Sequence, residues 1–417
     1  MSARRRVLGL LAGALAGALC LAGGPARAGE LRAGAARVEI TPPVGTPLGG
    51  YGDRKGAAST GVHDPIFAKA LVLDDGTERV AILTTDLVGT HPEIARRAAE
   101  AAGLRREQLL VASSHTHSGP GAYWKGPFAQ LVLGPYDQKV HDHLSDGITR
   151  ALKQAVAALQ PAKLAVGETE LRRFSRNRRG NRITDPALTL VRVDTAEGKP
   201  LAVLLNLTAH GTVLDADNLQ FSGDWMAFAQ AYLERELPGA VALYTNGAEG
   251  DISPNIPDNS STFEGARAHG EIGGKAAMEL YRSLQPAAEV RLGSKTATLE
   301  LPQTLQSALI GAGSRTLIQT VTINDALLIS VPGEPIVELG LILKEHARRQ
   351  GVKHPVIVGL ANDHLGYFLT RAEMKKGGYE ARVSFFGEGF GETLTLAIAR
   401  LIGGDAAPVE AALRKQE

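Results

Sequence analysis

The sequence predicts a single large α/β domain built from mixed β-sheets covered by helices. Apolar runs of strand length alternate with longer amphipathic runs of helical period along most of the chain. Some strand-like runs are joined by tight turns, as antiparallel hairpins are. Others flank a helix-like run, as parallel crossovers do. No Pro/Gly/Ser-rich linker, internal repeat or low-complexity tract divides the 417 residues.

The first 28 residues stand apart. Arg4-Arg5-Arg6 forms a positive leader, Val7 to Leu21 an apolar stretch too short for a membrane span, and Ala26-Arg27-Ala28 a small-x-small cleavage signal. This predicts a removable export signal over 1–28, a functional domain over 29–417, and a periplasmic or secreted destination. The arginines suit a general or a twin-arginine route equally.

Beyond it, Phe67 to Leu73 and Arg79 to Thr85 flank Asp74-Asp75-Gly76, a hairpin signal. His91 to Ala102 reads as a short helix, Leu109 to Ser113 as a buried strand, and Val140 to Leu159 as an amphipathic helix stopped by Pro161. Leu188 to Val193 and Leu201 to Thr208 pair around Glu197-Gly198. A helix starts near Asp224, a strand covers Val241 to Tyr244, and a helix covers Ala266 to Leu284. Leu317 to Val331 gives two strands about Asn324-Asp325, and Pro335, suited to a first helical turn, opens a helix to Arg349. Pro355 to Leu360 is a last strand. Helices over Glu388 to Ile402 and Ala406 to Lys415 close the chain.

The content, 44% hydrophobic and 21% charged, is that of a soluble globular enzyme. Removal of the leader takes four arginines and leaves 41 basic against 44 acidic side chains, a net charge of −3, so no basic excess points to nucleic acid. The sole cysteine, Cys20, lies in the leader, behind a Leu19 too large for a lipoprotein site. A metal site in the exported domain must therefore use His, Asp, Glu or Tyr.

Titratable residues sit just past the ends of apolar runs, where α/β sheets assemble their sites. The strand ending at Ser113 is followed by His115-Thr116-His117-Ser118-Gly119-Pro120-Gly121. Were that strand to continue, the two imidazoles would share a face; as a polar turn, both would face water. His210-Gly211 follows one strand, Pro332-Gly333-Glu334-Pro335 another, and Asn362-Asp363-His364-Leu365-Gly366-Tyr367 a third. Singly, each has a plain structural explanation: a satisfied core histidine, a helix-capping carboxylate, an aromatic lid.

In their order these segments, with Gly250-Asp251-Ile252-Ser253-Pro254-Asn255, Val38 to Pro43, Gly49-Gly50-Tyr51 and Gly378-Tyr379-Glu380, resemble the neutral (non-lysosomal) ceramidase family over residues 34 to 400. The resemblance implies a catalytic domain holding one zinc ion that cleaves the N-acyl bond of ceramide or a related N-acyl lipid. It implies His115, His210, Glu334 and Tyr367 as zinc ligands. It also implies His117 and Arg178 near the scissile carbonyl, Tyr379 as a second pocket tyrosine, and Ser253 as nucleophile or substrate-positioning group. Two histidines and a carboxylate suit a zinc site that leaves a position open for water. Zinc-activated water would attack, His117 would pass a proton to the leaving amine, and Tyr379 or Arg178 would stabilise the oxyanion. A lipid substrate implies transient contact with a membrane surface.

Three rivals use the same residues: a zinc hydrolase of another amide or ester, a non-catalytic lipid-binding homologue, and covalent catalysis by Ser253. That serine lacks a G-x-S-x-G elbow. Asp224 and Asp251 read as caps, His141 and His143 as solvent-facing helix residues, and His364 as a supporting group or a surface residue. Ala122 stands where the family often has glycine, placing Tyr123-Trp124 at the pocket rim. Met374 to Gly378 is less aromatic than the family's loop, and the sequence shows no C-terminal β-sandwich such as full-length members carry.

Overall fold

A computed structural model describes residues 29–256 and 261–415. The leader expected over 1–28 lies outside these residues. Eight strands form the larger sheet: β1 (Arg32–Glu39), β2 (Phe67–Asp74), β3 (Arg79–Thr85), β4 (Leu109–Ser113), β5 (Gln160–Glu170), β6 (Ala187–Thr195), β7 (Pro200–Leu207) and β8 (Val241–Asn246), in spatial order β8-β7-β6-β5-β1-β2-β3-β4. Four more, β9 (Leu292–Glu300), β10 (Arg315–Ile323), β11 (Ala326–Ser330) and β12 (His354–Val358), form a second sheet in sequence order.

Antiparallel pairs dominate these two sheets, but three of their pairs are parallel: β3 with β4, β7 with β8, and β11 with β12. Each needs a crossover, and each crossover carries a helix: α1 (Pro92–Ala101), α3 (Asp224–Glu236) and α5 (Val337–Arg349). The others named here are α2 (Gln138–Ala157), α4 (Phe263–Ser283), α6 (Phe390–Ile402) and α7 (Ala407–Arg414).

The pleat sorts the layers. On β2 and β3, Ala68, Ala70, Val72, Ala81 and Leu83 point towards α1 and α2. Leu71, Leu73, Val80 and Ile82 point the other way, onto Val321, Leu328, Val356 and Val358 of the second sheet. Helices α3 and α4 cover β6, β7 and β8 through Trp225, Phe228 and Met278. Helices α5, α6 and α7 cover the outer face of the second sheet through Leu343, Ile398 and Leu413. The product is a four-layer stack, helix–sheet–sheet–helix, with mixed sheets as expected. No helix among the described residues is long and apolar enough to cross a membrane.

Strands β1, β5 and β9 have no counterpart in the sequence reading. Strand β5 starts one residue before Pro161, which ends the helix and enters the sheet at once. Strand β9, an edge strand, buries only Leu292 fully, so its apolar signal is weak. Pro335 does not open α5. It belongs to a two-residue strand, Glu334–Pro335, and Ile336 caps the helix.

Candidate metal centre

The carboxyl ends of the three parallel pairs lie at one edge of the stack, and the polar segments extend from them. His115 comes two residues after β4, and His210 three after β7. Glu334 comes four after β11, and His364 and Tyr367 follow β12. Two residues thus come from the larger sheet and three from the smaller. Asn206 on β7 ties the sheets together beneath them, its amide donating to Ile357 O at 3.0 Å and Thr245 Oγ1 at 3.0 Å.

The pairing of His115 and His117 does not come from a continued strand. The strand stops at Ser113, and His115 takes φ 65°, a left-handed conformation that costs a non-glycine residue on the order of 1–2 kcal/mol. Its amide donates to Leu87 O at 3.1 Å and its Nδ1 to Val88 O at 2.7 Å, which hold it there. Thr116 then bridges Gly211, and His117 N–H donates to Gly211 O at 3.1 Å. This close approach excludes a side chain at Gly211, whose Cβ would lie 2.5 Å from His115 O.

His210 N–H donates to Ile252 O at 2.9 Å and its Nδ1 to Glu249 O at 2.7 Å. Glu334 and Tyr367 sit directly opposite in a parallel ladder of Glu334–Pro335 with Tyr367–Phe368. That pairing gives Pro335 its strand conformation.

With both Nδ1 atoms committed as donors, the Nε2 atoms of His115 and His210 present lone pairs. They lie 3.3 Å and 3.2 Å from Glu334 Oε2, a buried oxygen without a hydrogen-bond partner. Tyr367 OH is 3.1 Å from His210 Nε2, and His117 Nε2 is 3.1 Å from His115 Nε2. Acceptors facing acceptors in a buried site call for a cation. Tetrahedral ligands about 2.0–2.1 Å from one ion lie about 3.3 Å from each other, which matches the observed spacings. The residues therefore fit a metal ion, and the spacing admits His117 alongside the other four.

The carboxyl of Glu334 responds to positive charge placed around it. Burial opposes its ionisation, and His115, His210 and His364, when they act as donors, hold it well below the usual range. A cation takes that role when the Nε2 atoms of His115 and His210 are acceptors. Burial, with Arg178 nearby, lowers His210 to about 4 and keeps it neutral. Burial and the other two histidines hold His117 well below the ordinary imidazole value. Burial, reinforced by Glu334, pushes the Tyr367 hydroxyl well up.

An apolar cavity of about 100 Å³ opens onto the cluster, with walls from Val88, Trp124, Phe128, Leu133, Ile310 and Phe385. His115, His117, Glu334, His364, Tyr367 and Tyr379 also line it; His210, Ser253 and Arg178 do not. Tyr379 is half exposed, its ring edge-on to Tyr367 at 5.8 Å. Arg178 reaches the cluster from behind, donating to Tyr367 OH at 3.1 Å, Gly250 O at 2.7 Å and Glu380 Oε1 at 2.8 Å. Burial opposes its charge, and Tyr367 with Glu380 more than offsets that. Ser253 sits in a three-residue strand opposite Arg176.

Other expectations fare differently. Asp251 accepts from Val337 N at 2.8 Å at the start of α5 and from Asn177 at 2.6 Å, as a cap should. Asp224 likewise binds backbone amides, Leu214 N at 3.0 Å and Trp225 N at 2.6 Å. Tyr123 and Trp124 are not rim residues: both are buried, Tyr123 donating to Gly89 O at 2.6 Å while Trp124 forms cavity wall. The sequence reading missed Arg54. Its buried guanidinium donates to the carbonyls of His117, Gly49 and Asp215, pinning the histidine loop. Nothing in the sequence sets Arg54 apart from surface arginines.

A four-layer α/β protein with a buried His/Glu/Tyr cluster at its strand ends and an apolar cavity above is the class defined here. Residues 31–271 match the family of neutral/alkaline non-lysosomal ceramidases, N-terminal region, and the chain belongs to that family. Neutral ceramidase of Mycobacterium tuberculosis is 27% identical over 240 residues, 50% of this chain and 37% of that protein. Neutral ceramidase of Pseudomonas aeruginosa is 28% identical over 258 residues, 56% and 38% respectively. The matched segment thus spans little more than a third of these relatives. A crystal structure of the Pseudomonas aeruginosa neutral ceramidase superposes with a TM-score of 0.79 at 22% identity, covering 91% of this chain and 75% of the other. A ceramidase complexed with C2 gives 0.78 at 20%, covering 90% and 75%. That likeness carries the fold.

Proposed function

We propose that this chain is an exported, zinc-dependent amide hydrolase that cleaves the N-acyl bond of ceramide or a related N-acyl lipid. The observation that carries the reading is the meeting of His115 Nε2, His210 Nε2 and Glu334 Oε2, with the Tyr367 hydroxyl, at ligand-to-ligand spacing. Zinc suits a set of imidazole nitrogens and one carboxylate without thiolate, and when bound it supplies Lewis acidity towards a carbonyl and a water of lowered pKa. In this reading His115, His210, Glu334 and Tyr367 hold the ion.

The chain's own groups supply the rest. His117, neutral and facing both the cluster and the cavity, takes a proton at Nε2 from the attacking water and gives it to the leaving nitrogen. Tyr379, the hydroxyl-bearing residue at the open side of the cavity, donates to the developing oxyanion. Arg178 supports Tyr367 rather than the substrate, because it binds the hydroxyl from outside the cavity. The apolar walls favour an acyl chain and keep bulk water from the reacting amide. In this reading Ser253, which lies in a short strand opposite Arg176 and outside the cavity lining, has a structural role, and metal-assisted attack by water is preferred to a covalent route.

A second reading keeps the metal and changes the substrate to a smaller amide or ester. The cavity of about 100 Å³ favours it, since a two-chain lipid must leave much of itself outside. Metal analysis of purified protein, coupled to a hydrolysis screen over N-acyl sphingoid bases, N-acyl amino acids and simple esters, separates the two. One zinc per chain with turnover of N-acyl sphingoid bases is expected. Stoichiometric zinc with turnover of only the smaller substrates supports the second reading, and zinc without any turnover supports a lipid-binding homologue.

A further inference from the structure

His364 stands beside the metal cluster without being needed to complete it. Its Nε2 lies 3.0 Å from Glu334 Oε1, the oxygen opposite the one that faces His115 and His210. The two oxygens of one carboxylate are thus treated differently: Oε1 has a hydrogen-bond partner, and Oε2, buried, has none. The imidazole is itself held in place. Its amide donates to Asp363 Oδ1 at 2.9 Å, and Asp363 accepts from Thr316 at 2.9 Å. Trp124 packs edge-on against its ring at 6.2 Å, and Gly89 leaves the room it occupies, since a Cβ there would meet His364 Nδ1 at 2.7 Å.

A carboxylate with two free oxygens can bind an ion through one or both, and it rotates between these modes. A donor fixed on one oxygen removes that freedom and leaves the other as a single, oriented ligand atom. His115 and His210 have equivalent supports in the carbonyls of Val88 and Glu249. Glu334 finds its support in a side chain, and that side chain lines the substrate cavity.

We infer that His364 is a positioning residue that holds Glu334 as a one-oxygen metal ligand by donating from Nε2 to Oε1. This inference rests on the metal reading given above and adds the group that orients the carboxylate. His364 forms no bond to the ion; its effect passes through Glu334.

The test compares wild type, His115→Ala, His364→Ala and His364→Gln by competition for zinc against a chelator of known affinity. The visible spectra of the cobalt(II)-loaded proteins are recorded alongside. His364→Ala should weaken zinc binding by about 10–100-fold, keep one ion per chain at saturating metal, and alter the cobalt bands. His364→Gln, whose amide can still donate, should recover most of the affinity and the wild-type spectrum. Unchanged affinity and spectrum in His364→Ala overturn the inference. So does loss of the ion at saturating zinc, as expected for His115→Ala, because His364 would then be a ligand itself. Should wild type bind no zinc, or His115→Ala bind it as wild type does, the metal reading fails first, and the two failures are told apart. Circular dichroism of His364→Gln guards against misfolding as the cause of a loss.

Discussion

At the scale of residues, the proposed function gives two histidines two positions apart different work. His115 commits Nδ1 to Val88 O, so only Nε2 is left for an ion, whereas His117 Nδ1 is buried without a partner. A ligand held by a fixed donor bond suits a metal, and an imidazole whose tautomer no such bond fixes suits proton transfer at Nε2. His115→Ala should therefore abolish both zinc binding and turnover. His117→Ala should keep stoichiometric zinc and lose about 10²–10⁴-fold in kcat, the usual worth of general acid–base catalysis. Metal content and steady-state rates measured on both variants decide this; equal loss of metal in the two would end the division of labour.

Titration at a distance from the centre is a second matter of single residues. His269 is buried, stacked on Phe174 at 4.1 Å with its Nε2 unpartnered, and burial lowers it to about 4. Its neutral form alone fits. The unfolded chain binds this proton near pH 6.5, so the stability the residue contributes is full above that pH and is lost as pH falls through about 4. The limit is on the order of 3 kcal/mol. His269→Leu should flatten the fall of the urea midpoint between pH 7 and pH 4.5; an unchanged slope would contradict the assignment.

At the scale of elements, short pairings rather than long ones place the chemistry. The ladder of two residues that sets Glu334 beside Tyr367, and the single bridge from Thr116 to Gly211, have no periodicity to betray them. The long strands and helices were legible because burial repeats along them: Leu109–Ser113 matches its expected bounds, and Phe67–Asp74 with Arg79–Thr85 forms the hairpin read from Asp-Asp-Gly. Candidate site residues were legible as titratable groups at strand ends and through family resemblance. Their contacts were not, because His115 turns on a positive φ and His364 meets Glu334 across 30 positions. Asp251 shows how such loops are fastened, joining the start of α5 to Asn177 next to Arg178. Asp251→Ala leaves two donors unpaired and should cost about 1–3 kcal/mol. It should also lower turnover more than zinc occupancy, because Arg178 loses its footing beneath Tyr367. Denaturation midpoints and metal content check both halves, and a variant as stable and as active as wild type would contradict them.

Across the whole molecule, the site is where two sheets meet. His115 and His210 extend from the eight-stranded sheet, Glu334 and Tyr367 from the four-stranded one, with Asn206 and the apolar layer holding the sheets in register. A shared ion would clamp the two sheets at their carboxyl edges. This explains why residues separated by more than 250 positions in sequence converge, and why helix crossovers are needed: only parallel neighbours bring carboxyl ends side by side.

X-ray absorption at the zinc edge of the purified, zinc-loaded protein tests that convergence most directly. One zinc per chain is expected, with nitrogen and oxygen neighbours at about 2.0–2.1 Å, imidazole scattering from at least two histidines, and loss of one imidazole or of the ion itself in His210→Ala. A fully active preparation devoid of metal, or a zinc spectrum without imidazole, would contradict the account.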